Sequence, residues 1–205
     1  MSTVADLIIA AKYDLVDFGA REYDETLIVH YLNRVLRILG YALIGMNSDQ
    51  TLTKSDVTLS TGDDESSVPT TYTVNIRNVY DSDGGIVTRV SPEKLYDLRE
   101  HISNTGKPNN WAHMQEKIEF DVEADDDYTY TVYHDVLPTV VTAASDMPYS
   151  GRYDGYIREA LVSMVKAKIK EKLDKSDAVY IHQFKTLLHQ DIINRNRVPK
   201  YRLDF

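Results

Sequence analysis

Residues 152–193 read RYDGYIREALVSMVKAKIKEKLDKSDAVYIHQFKTLLHQDII, and this stretch decides the predicted fold. Its apolar residues recur at steps of three and four, which is typical of one face of an α-helix. A short polar break follows, and Ser176 can cap a second helix. Because the break is short, the two helices are expected to form an antiparallel hairpin. The inner faces are predicted to be Ile157, Leu161, Met164, Val165 and Ile169, then Ile181, Phe184, Leu188 and Ile192.

Two more helices are predicted near the beginning of the sequence. Thr3 can cap a helix over 3–18, in which Asp6 lies in the first turn, where a negative charge suits the helix dipole. Asp24 can cap a second helix that ends at Gly45. The wide apolar face of this helix predicts either a central core helix or a helix buried between two subunits. That face comprises Ile28, Tyr31, Leu32, Val35, Leu36, Leu39 and Leu43.

The middle of the chain carries β patterns. Residues 46–67 are rich in Ser, Thr and Asp, and they predict a loop or a weakly formed strand pair. Period-two alternation over 71–77 predicts a strand, followed by a hairpin turn and a helix that begins at Ser91-Pro92. Two further strands are predicted over 111–122 and 128–136, with an acidic turn between them.

This order of elements predicts an α+β fold that is mainly α. We expect an antiparallel bundle of about four long helices with an inserted small antiparallel β subdomain. The predicted segments are an N-terminal helical hairpin (1–45), a β-rich insertion with one short helix (46–150), a C-terminal helical hairpin (151–193) and an extended C-terminal arm (194–205).

Composition excludes several classes of protein. The hydrophobic fraction of 42% is enough for a real core, and the absence of cysteine excludes disulfides, thiolate metal sites and cysteine catalysis. No apolar run approaches the roughly 18–20 residues of a membrane span. The first eleven residues show neither a basic leader nor a cleavage motif, so a signal peptide is not expected.

The charge is negative overall and unevenly distributed. The net charge of −9 argues against a general nucleic-acid binder. Residues 151–205 hold twelve Lys/Arg and seven Asp/Glu, a net +5, which leaves −14 on residues 1–150. Such a chain can stack one end against an acidic neighbour. The alternative is an ordinary solvated surface on which the charges happen to be unevenly distributed.

The sequence signals for metal-binding and catalytic sites are weak. Asp81, Asp83 and Gly84 resemble the start of a calcium loop without its closing glutamate, so a hairpin turn is the preferred interpretation. The acidic run 123–127 suits a hard cation or, by default, a solvated strand connection. His182 and His189 lie seven apart on one helical face and are interpreted as surface or interface residues. No phosphate loop, G-x-S-x-G or H-E-x-x-H is present, so neither an enzyme nor a cofactor is expected.

The last twelve residues form the sharpest feature. Pro199 blocks continuation of a helix, and the backbone entropy of ordering this arm exceeds what its few apolar side chains return on burial. A groove on a partner chain is therefore the expected binding place, and docking onto its own domain is the alternative. The basic and apolar residues predicted to bind the partner are Arg195, Arg197, Val198, Lys200, Tyr201, Arg202, Leu203 and Phe205.

Several sequence features, taken in their order along the chain, resemble those of a known protein family. They are the amphipathic helix 4–16, Tyr23-Asp24-Glu25 with Tyr31-Leu32-Asn33, the strand–turn–helix passage 79–98, Gly106-Lys107-Pro108 before Trp111, Tyr133-His134, and Met147-Pro148-Tyr149. In this order and spacing the chain resembles the head–tail connector, or adaptor, proteins of tailed phages. The resemblance runs nearly end to end.

The resemblance implies a non-enzymatic virion protein that forms a closed, dodecameric ring beneath the portal. It also implies that the arm grips the portal protein, that other surfaces receive tail or nozzle proteins, and that genomic DNA passes through without specific binding. It places the protein in the neck of the virion, and in the host cytoplasm during assembly. Two alternatives stay open: a tail-completion or head-closure ring component without portal contact, and a helical DNA-binding or regulatory module.

Overall fold

The computed structural model describes residues 3–16, 24–101, 105–149, 151–169, 179, 182–187 and 189. The chain divides into a helical unit, formed by residues 1–50 and 138–205, and a β unit, formed by residues 51–137. In chain order the elements are α1 (Val4–Val16), α2 (Glu25–Ile44), β1 (Leu52–Leu59), β2 (Glu65–Ser67), β3 (Thr73–Tyr80), β4 (Ile86–Arg89), α3 (Pro92–His101), β5 (Asn110–Met114), β6 (Lys117–Phe120), β7 (Tyr128–Val136), a 3-10 turn (Gly151–Tyr153) and α4 (Asp154–Ile169).

The starts of α1 and α2 follow the predicted caps. Thr3 and Asp6 form a reciprocal pair, because the Asp6 amide donates to Thr3 Oγ1 at 3.2 Å and the Thr3 amide donates to Asp6 Oδ2 at 2.9 Å. Asp24 accepts the Thr26 amide at 2.9 Å as the N-cap of α2, and Gly45 is its C-cap. Both predicted helix starts are therefore confirmed.

The apolar stripes of α1, α2 and α4 form the core of the helical unit. By length and composition α2 is the one described helix that could cross a membrane, but half of that window is buried inside the unit, as expected of a core helix. Among the described residues, Lys12 of α1 pairs with Glu25 of α2, and Arg158 of α4 pairs with Asp14 of α1. The buried face of α2 consists of Ile28, Leu32, Val35, Leu36, Ile38, Leu39, Gly40, Ala42 and Leu43.

The predicted C-terminal hairpin is described in part. The first helix buries Ile157, Leu161, Met164 and Val165, as the stripe predicts. On the second, Phe184 is buried in the same core. The Lys185 ammonium lies against the end of α2, since a Cβ placed on Gly45 would be 2.6 Å from Lys185 Nζ. The side chain of Ile169 is not described, and the break at 174–177 and the other predicted contacts, Ile181, Leu188 and Ile192, lie outside the described residues.

The β unit contains a seven-stranded sheet, in the part of the chain that the structure describes, with the order β1-β7-β3-β4-β5-β6-β2. The pairings are antiparallel except that of β4 with β5, which is parallel and has α3 as its crossover. The two end strands approach each other, because Ser66 Oγ donates to the Thr58 carbonyl at 3.0 Å. The sheet is therefore nearly closed into a barrel. Its interior holds Trp111 and a Phe120–Tyr130 stack with ring centroids 4.8 Å apart.

The predicted mainly α bundle of about four long helices is wrong. The described helices α1 to α4 have 13, 20, 10 and 16 residues, and the chain devotes residues 51–137 to a separate β unit instead of a small insertion. Sequence patterns underestimate the sheet because its outward positions carry Thr, Ser, Lys and Asp, which resemble a loop. Residues 46–67 contain β1 and β2, and the strand predicted over 111–122 is the β5–β6 hairpin.

Candidate interaction surfaces

The partner-binding residues predicted from the sequence cannot be located on the fold. All eight, Arg195, Arg197, Val198, Lys200, Tyr201, Arg202, Leu203 and Phe205, lie outside the described residues. Their docking stays a prediction. The structure does describe the surfaces of α2, α3 and the sheet, and these are the candidate interaction surfaces.

The negative charge of the chain belongs to the β unit. Residues 51–137 hold 17 acidic and seven basic side chains, a net −10, whereas the residues of the helical unit hold 15 acidic and 16 basic ones, a net +1. The contrast between residues 1–150 and 151–205 seen in the sequence is therefore mainly a contrast between two units. A surface this acidic repels phosphate groups and attracts basic partners.

The outward face of α2 carries a basic and aromatic stripe. His30, Arg34, Arg37 and Tyr41 follow one another at steps of four, three and four residues, so they line up on one side of the helix. His30, Arg37 and Tyr41 are exposed, and Arg34 is partly buried. Sequence reasoning missed this α2 stripe because the apolar face of the same helix dominates the pattern. The spacing of its polar residues was the available signal.

The outward face of α3 is acidic. Glu93, Asp97 and Glu100 recur at steps of four and three residues and are exposed, as is Tyr96 between them. The pKa of Glu93 is lowered by hydrogen bonding to its own backbone N–H and then to the Ser91 hydroxyl. Asp97 and Glu100 extend this acidic face toward the C-terminal end of α3.

In the sheet, the buried Asp135 forms an ion pair with the partly buried Arg77. The Arg77 guanidinium reaches both oxygens of Asp135, at 2.9 Å from Nε to Oδ2 and 2.6 Å from Nη2 to Oδ1. Thr51 Oγ1 donates to Oδ1 at 2.8 Å and Asn75 Nδ2 to Oδ2 at 3.2 Å. Burial opposes ionisation, but these bonds outweigh it and lower the pKa of Asp135. This arrangement joins β3, β7 and the residue that precedes β1.

His134 lies fully buried beside this pair. Its Nε2 is 3.0 Å from Ser55 Oγ and its Nδ1 is 3.1 Å from Thr73 Oγ1. Burial lowers the pKa of the imidazole, against the opposing charge of Asp135. A Ser–His pair can form part of a nucleophilic site, but here the third group is a hydroxyl instead of the usual carboxylate. The geometry is that of a neutral histidine satisfied between strands.

The acidic turns have internal partners. Asp81 Oδ1 accepts the Gly85 amide at 2.6 Å, which confirms the predicted hairpin turn, and Lys107 Nζ lies 2.8 Å from Asp81 Oδ2. In the second turn Asp127 accepts the Thr61 amide at 2.9 Å. Within the described ranges no group of three or more His, Asp or Glu side chains is arranged to hold a metal ion.

The predicted surface histidines and several tyrosines are exposed. His182 and His189 both face outward, as the sequence indicates. The many tyrosines divide between two roles, since some are buried in the cores, as Tyr130 and Tyr153 are, and others are exposed. The most exposed large apolar side chains include Tyr13, Tyr41, Tyr72, Tyr96, Ile9, Ile86 and Val140. Single exposed tyrosines suit interfaces that are partly wet.

Comparison with known proteins identifies the family. The family model described as SU10 adaptor protein matches residues 2–202, which is nearly the whole chain. No curated protein sequence matches this one. The match extends over residues of both units of the fold. The chain belongs to the SU10 adaptor protein family, and it is a structural adaptor protein of the bacteriophage virion that interacts with other phage head or tail proteins.

Proposed function

We propose that the protein forms a closed, dodecameric ring that joins the portal of the phage head to the tail. The match to the adaptor family over residues 2–202 carries this proposal. The role is structural and needs no catalytic chemistry, metal or cofactor. It places the protein in the neck of the virion, and in the host cytoplasm while the particle assembles.

Residues 194–205 are proposed to attach the ring to the portal. Four cations alternate there with apolar side chains, a pattern that suits an acidic groove with apolar pockets. Without this segment the helical unit holds 14 acidic and 12 basic side chains, a net charge of only −2, so charge gives the segment little reason to bind back onto that unit. A groove on the portal protein is the proposed binding place of this segment.

The β unit is proposed to let DNA pass through the ring without holding it. Affinity for duplex DNA comes largely from Lys and Arg at the phosphates. A unit with a net charge of −10 disfavours such contacts, so DNA near it slides instead of binding. The remaining surfaces are available to tail or nozzle proteins.

Deleting residues 194–205 tests the portal attachment. The truncated protein is expected to keep its circular dichroism spectrum but to lose co-sedimentation with purified portal rings. A full-length variant with Arg195, Arg197, Lys200 and Arg202 changed to Ser separates charge from length. The matched control changes Lys54 and Lys94, two exposed cations of the β unit, to Ser. Truncated protein that still loads onto portal rings contradicts the assignment.

The same experiment separates the alternatives. Full-length protein that binds tail proteins but never portal rings favours a tail-completion or head-closure component. Duplex DNA binding that weakens steeply with salt favours a DNA-binding module.

A further inference from the structure

Strand β1 has one edge that faces no neighbouring strand over most of its length. β1 is an end strand of the sheet, and its register pairs it with β7. The Val136 amide donates to the Thr51 carbonyl at 2.9 Å, and this bond fixes which residues of the strand face β7. Because antiparallel partners exchange hydrogen bonds at every second residue, the backbone groups of Leu52, Lys54 and Asp56 point away from β7.

Two further hydrogen bonds agree with this alternation. The Leu137 amide donates to the Tyr72 carbonyl at 3.1 Å, so the odd-numbered residues at this end of β7 face β3 and the even-numbered ones face β1. The Thr58 carbonyl accepts the Ser66 hydroxyl at 3.0 Å from the side of β2. β2 therefore covers the last part of the edge, and the stretch before it stays open in the part of the chain that the structure describes.

We call the backbone N–H and C=O groups of Leu52, Lys54 and Asp56 the β1 edge. Lys54 and Asp56 are exposed and Leu52 is partly buried. Among the described residues, none forms a backbone hydrogen bond to these groups on the side away from β7. The β1 edge thus offers three donors and three acceptors over about 14 Å, and such an edge is a template onto which an extended chain adds as a further strand.

The sequence around the β1 edge is acidic. Residues 49–66 hold five Asp/Glu and one Lys, a net −4. Asp56 lies on the outer face of the sheet, where its carboxylate accepts the Thr131 hydroxyl at 2.8 Å. A Lys or Arg directly opposite Asp56 on an added strand would form a cross-strand ion pair. The partner that fits is therefore an extended segment with a basic residue at that position.

We propose that an extended basic segment of a tail protein adds to the β1 edge as an antiparallel strand. The inference rests on the proposed function, in which residues 194–205 bind the portal and the other surfaces receive the tail. A second copy fits this edge less well. Two β1 edges that pair with each other form a contact between identical patches, which closes at two copies and builds no ring.

A proline in β1 tests the edge, with a labelled synthetic peptide that alternates valine with lysine and threonine as the probe. The full-length protein is expected to bind this peptide in fluorescence anisotropy titrations. Lys54→Pro removes an N–H that points away from β7, so the fold should persist while binding weakens by about tenfold or more. The matched control Lys54→Ala keeps that N–H and should bind like the wild type. A wild-type protein that does not bind the peptide, or equal binding by the two variants, overturns the proposal.

Methylation of the peptide tests the same hydrogen bonds without any change to the protein. In the proposed pairing the lysine and threonine residues of the peptide lie opposite Lys54 and Asp56, and their amides donate to the β1 edge. A peptide methylated at those amides is expected to lose binding. A peptide methylated at its valine amides, which point away from β1, is expected to keep it. Equal effects, or effects in the opposite order, overturn the proposal.

Removal of one charge tests whether the segment is basic. Asp56→Asn is expected to weaken peptide binding by about two- to fivefold at low salt, while its side chain can still accept the Thr131 hydroxyl. Asp97→Asn, at an exposed acidic position of α3, is expected to leave binding unchanged. Asp56→Asn protein that binds as tightly as the wild type overturns the assignment to a basic segment.

Portal rings and purified tail proteins of the same phage separate this inference from the proposed function. Lys54→Pro protein is expected to load onto portal rings but to lose co-sedimentation with the tail proteins, which Lys54→Ala protein retains. Wild-type protein that binds the peptide yet never loads onto portal rings contradicts portal attachment alone. Tail proteins that bind both variants equally overturn the β1 contact alone. Peptide binding that appears only after deletion of residues 194–205 would assign the β1 edge to the chain's own last residues, and it would also overturn the proposal.

Discussion

At the residue scale, the Arg77–Asp135 pair is expected to control the stability of the β unit. Asp135 is fully buried and Arg77 is its cationic partner. Arg77→Ala leaves a buried carboxylate without its cation, and it should lower the free energy of unfolding by about 3–5 kcal/mol in urea titrations. Lys54→Ala, at an exposed position of β1, should change it by less than about 0.5 kcal/mol. Equal effects of the two substitutions would contradict this account.

His134 should make the β unit sensitive to mild acid. Its pKa is lowered in the folded state, so the unfolded chain takes up a proton first as the pH falls through about 6.5. The stability contributed by neutral His134 is therefore complete above that pH and is lost below it. Asp135 does not contribute in this window, because its pKa is lowered from an already acidic value.

Denaturant titrations between about pH 7.5 and 5 test this sign. His134→Gln should make the free energy of unfolding less dependent on pH than it is in the wild-type protein. His101→Gln, at an exposed position, should leave the dependence unchanged. A His134→Gln protein with the wild-type slope would show that the imidazole is not the responsible group.

At the scale of elements, Asn33 holds the segment after β7 onto α2. Its side-chain oxygen accepts the Val141 amide at 2.7 Å, and its Nδ2 donates to the Val141 carbonyl at 3.0 Å. Because Val141 is buried, Asn33→Ala leaves both backbone groups unpaired and should cost about 1–3 kcal/mol. Amide hydrogen exchange at Val141 should become faster, whereas exchange at Leu95 in α3 should not change. Unaltered protection of Val141 would exclude this role for Asn33.

Element by element, the sequence signals differ in strength for physical reasons. The starts of α1, α2 and α3 could be predicted because capping side chains act locally. The β5–β6 turn could not, since its left-handed residue is Gln115 and neither Gly, Pro, Asn nor Asp stands there. On β1 only Val57 and Leu59 are buried, so the strand carries too few apolar residues for a clear alternation.

At the scale of the whole molecule, residues 51–137 should fold when expressed alone. The first and last residues of this unit lie close together, because the Val136 amide donates to the Thr51 carbonyl at 2.9 Å. The unit has its own buried cluster around Trp111 and Phe120. The isolated fragment should show a β-type circular dichroism spectrum, blue-shifted Trp111 fluorescence and cooperative unfolding. A spectrum of an unfolded chain would show that the unit depends on the rest of the protein.

The pairing of distant strands into one seven-stranded sheet was the least predictable feature. Local periodicity identifies helices and strands, but the pairing of β1 with β7 joins residues far apart in sequence. The charge of −10 on the β unit became visible only once its boundaries were known. The candidate surfaces also depended on knowing the fold. The order of the motifs indicated an adaptor, but the α2 stripe could be recognised only when the structure showed which face of α2 is buried.

Electron cryo-microscopy of the protein mixed with purified portal rings tests the central claim most directly. The account predicts a closed ring of copies on the portal, with residues 194–205 of each copy in contact with a portal chain. A portal without such a ring, or a ring whose residues 194–205 lie on their own subunits, would contradict it.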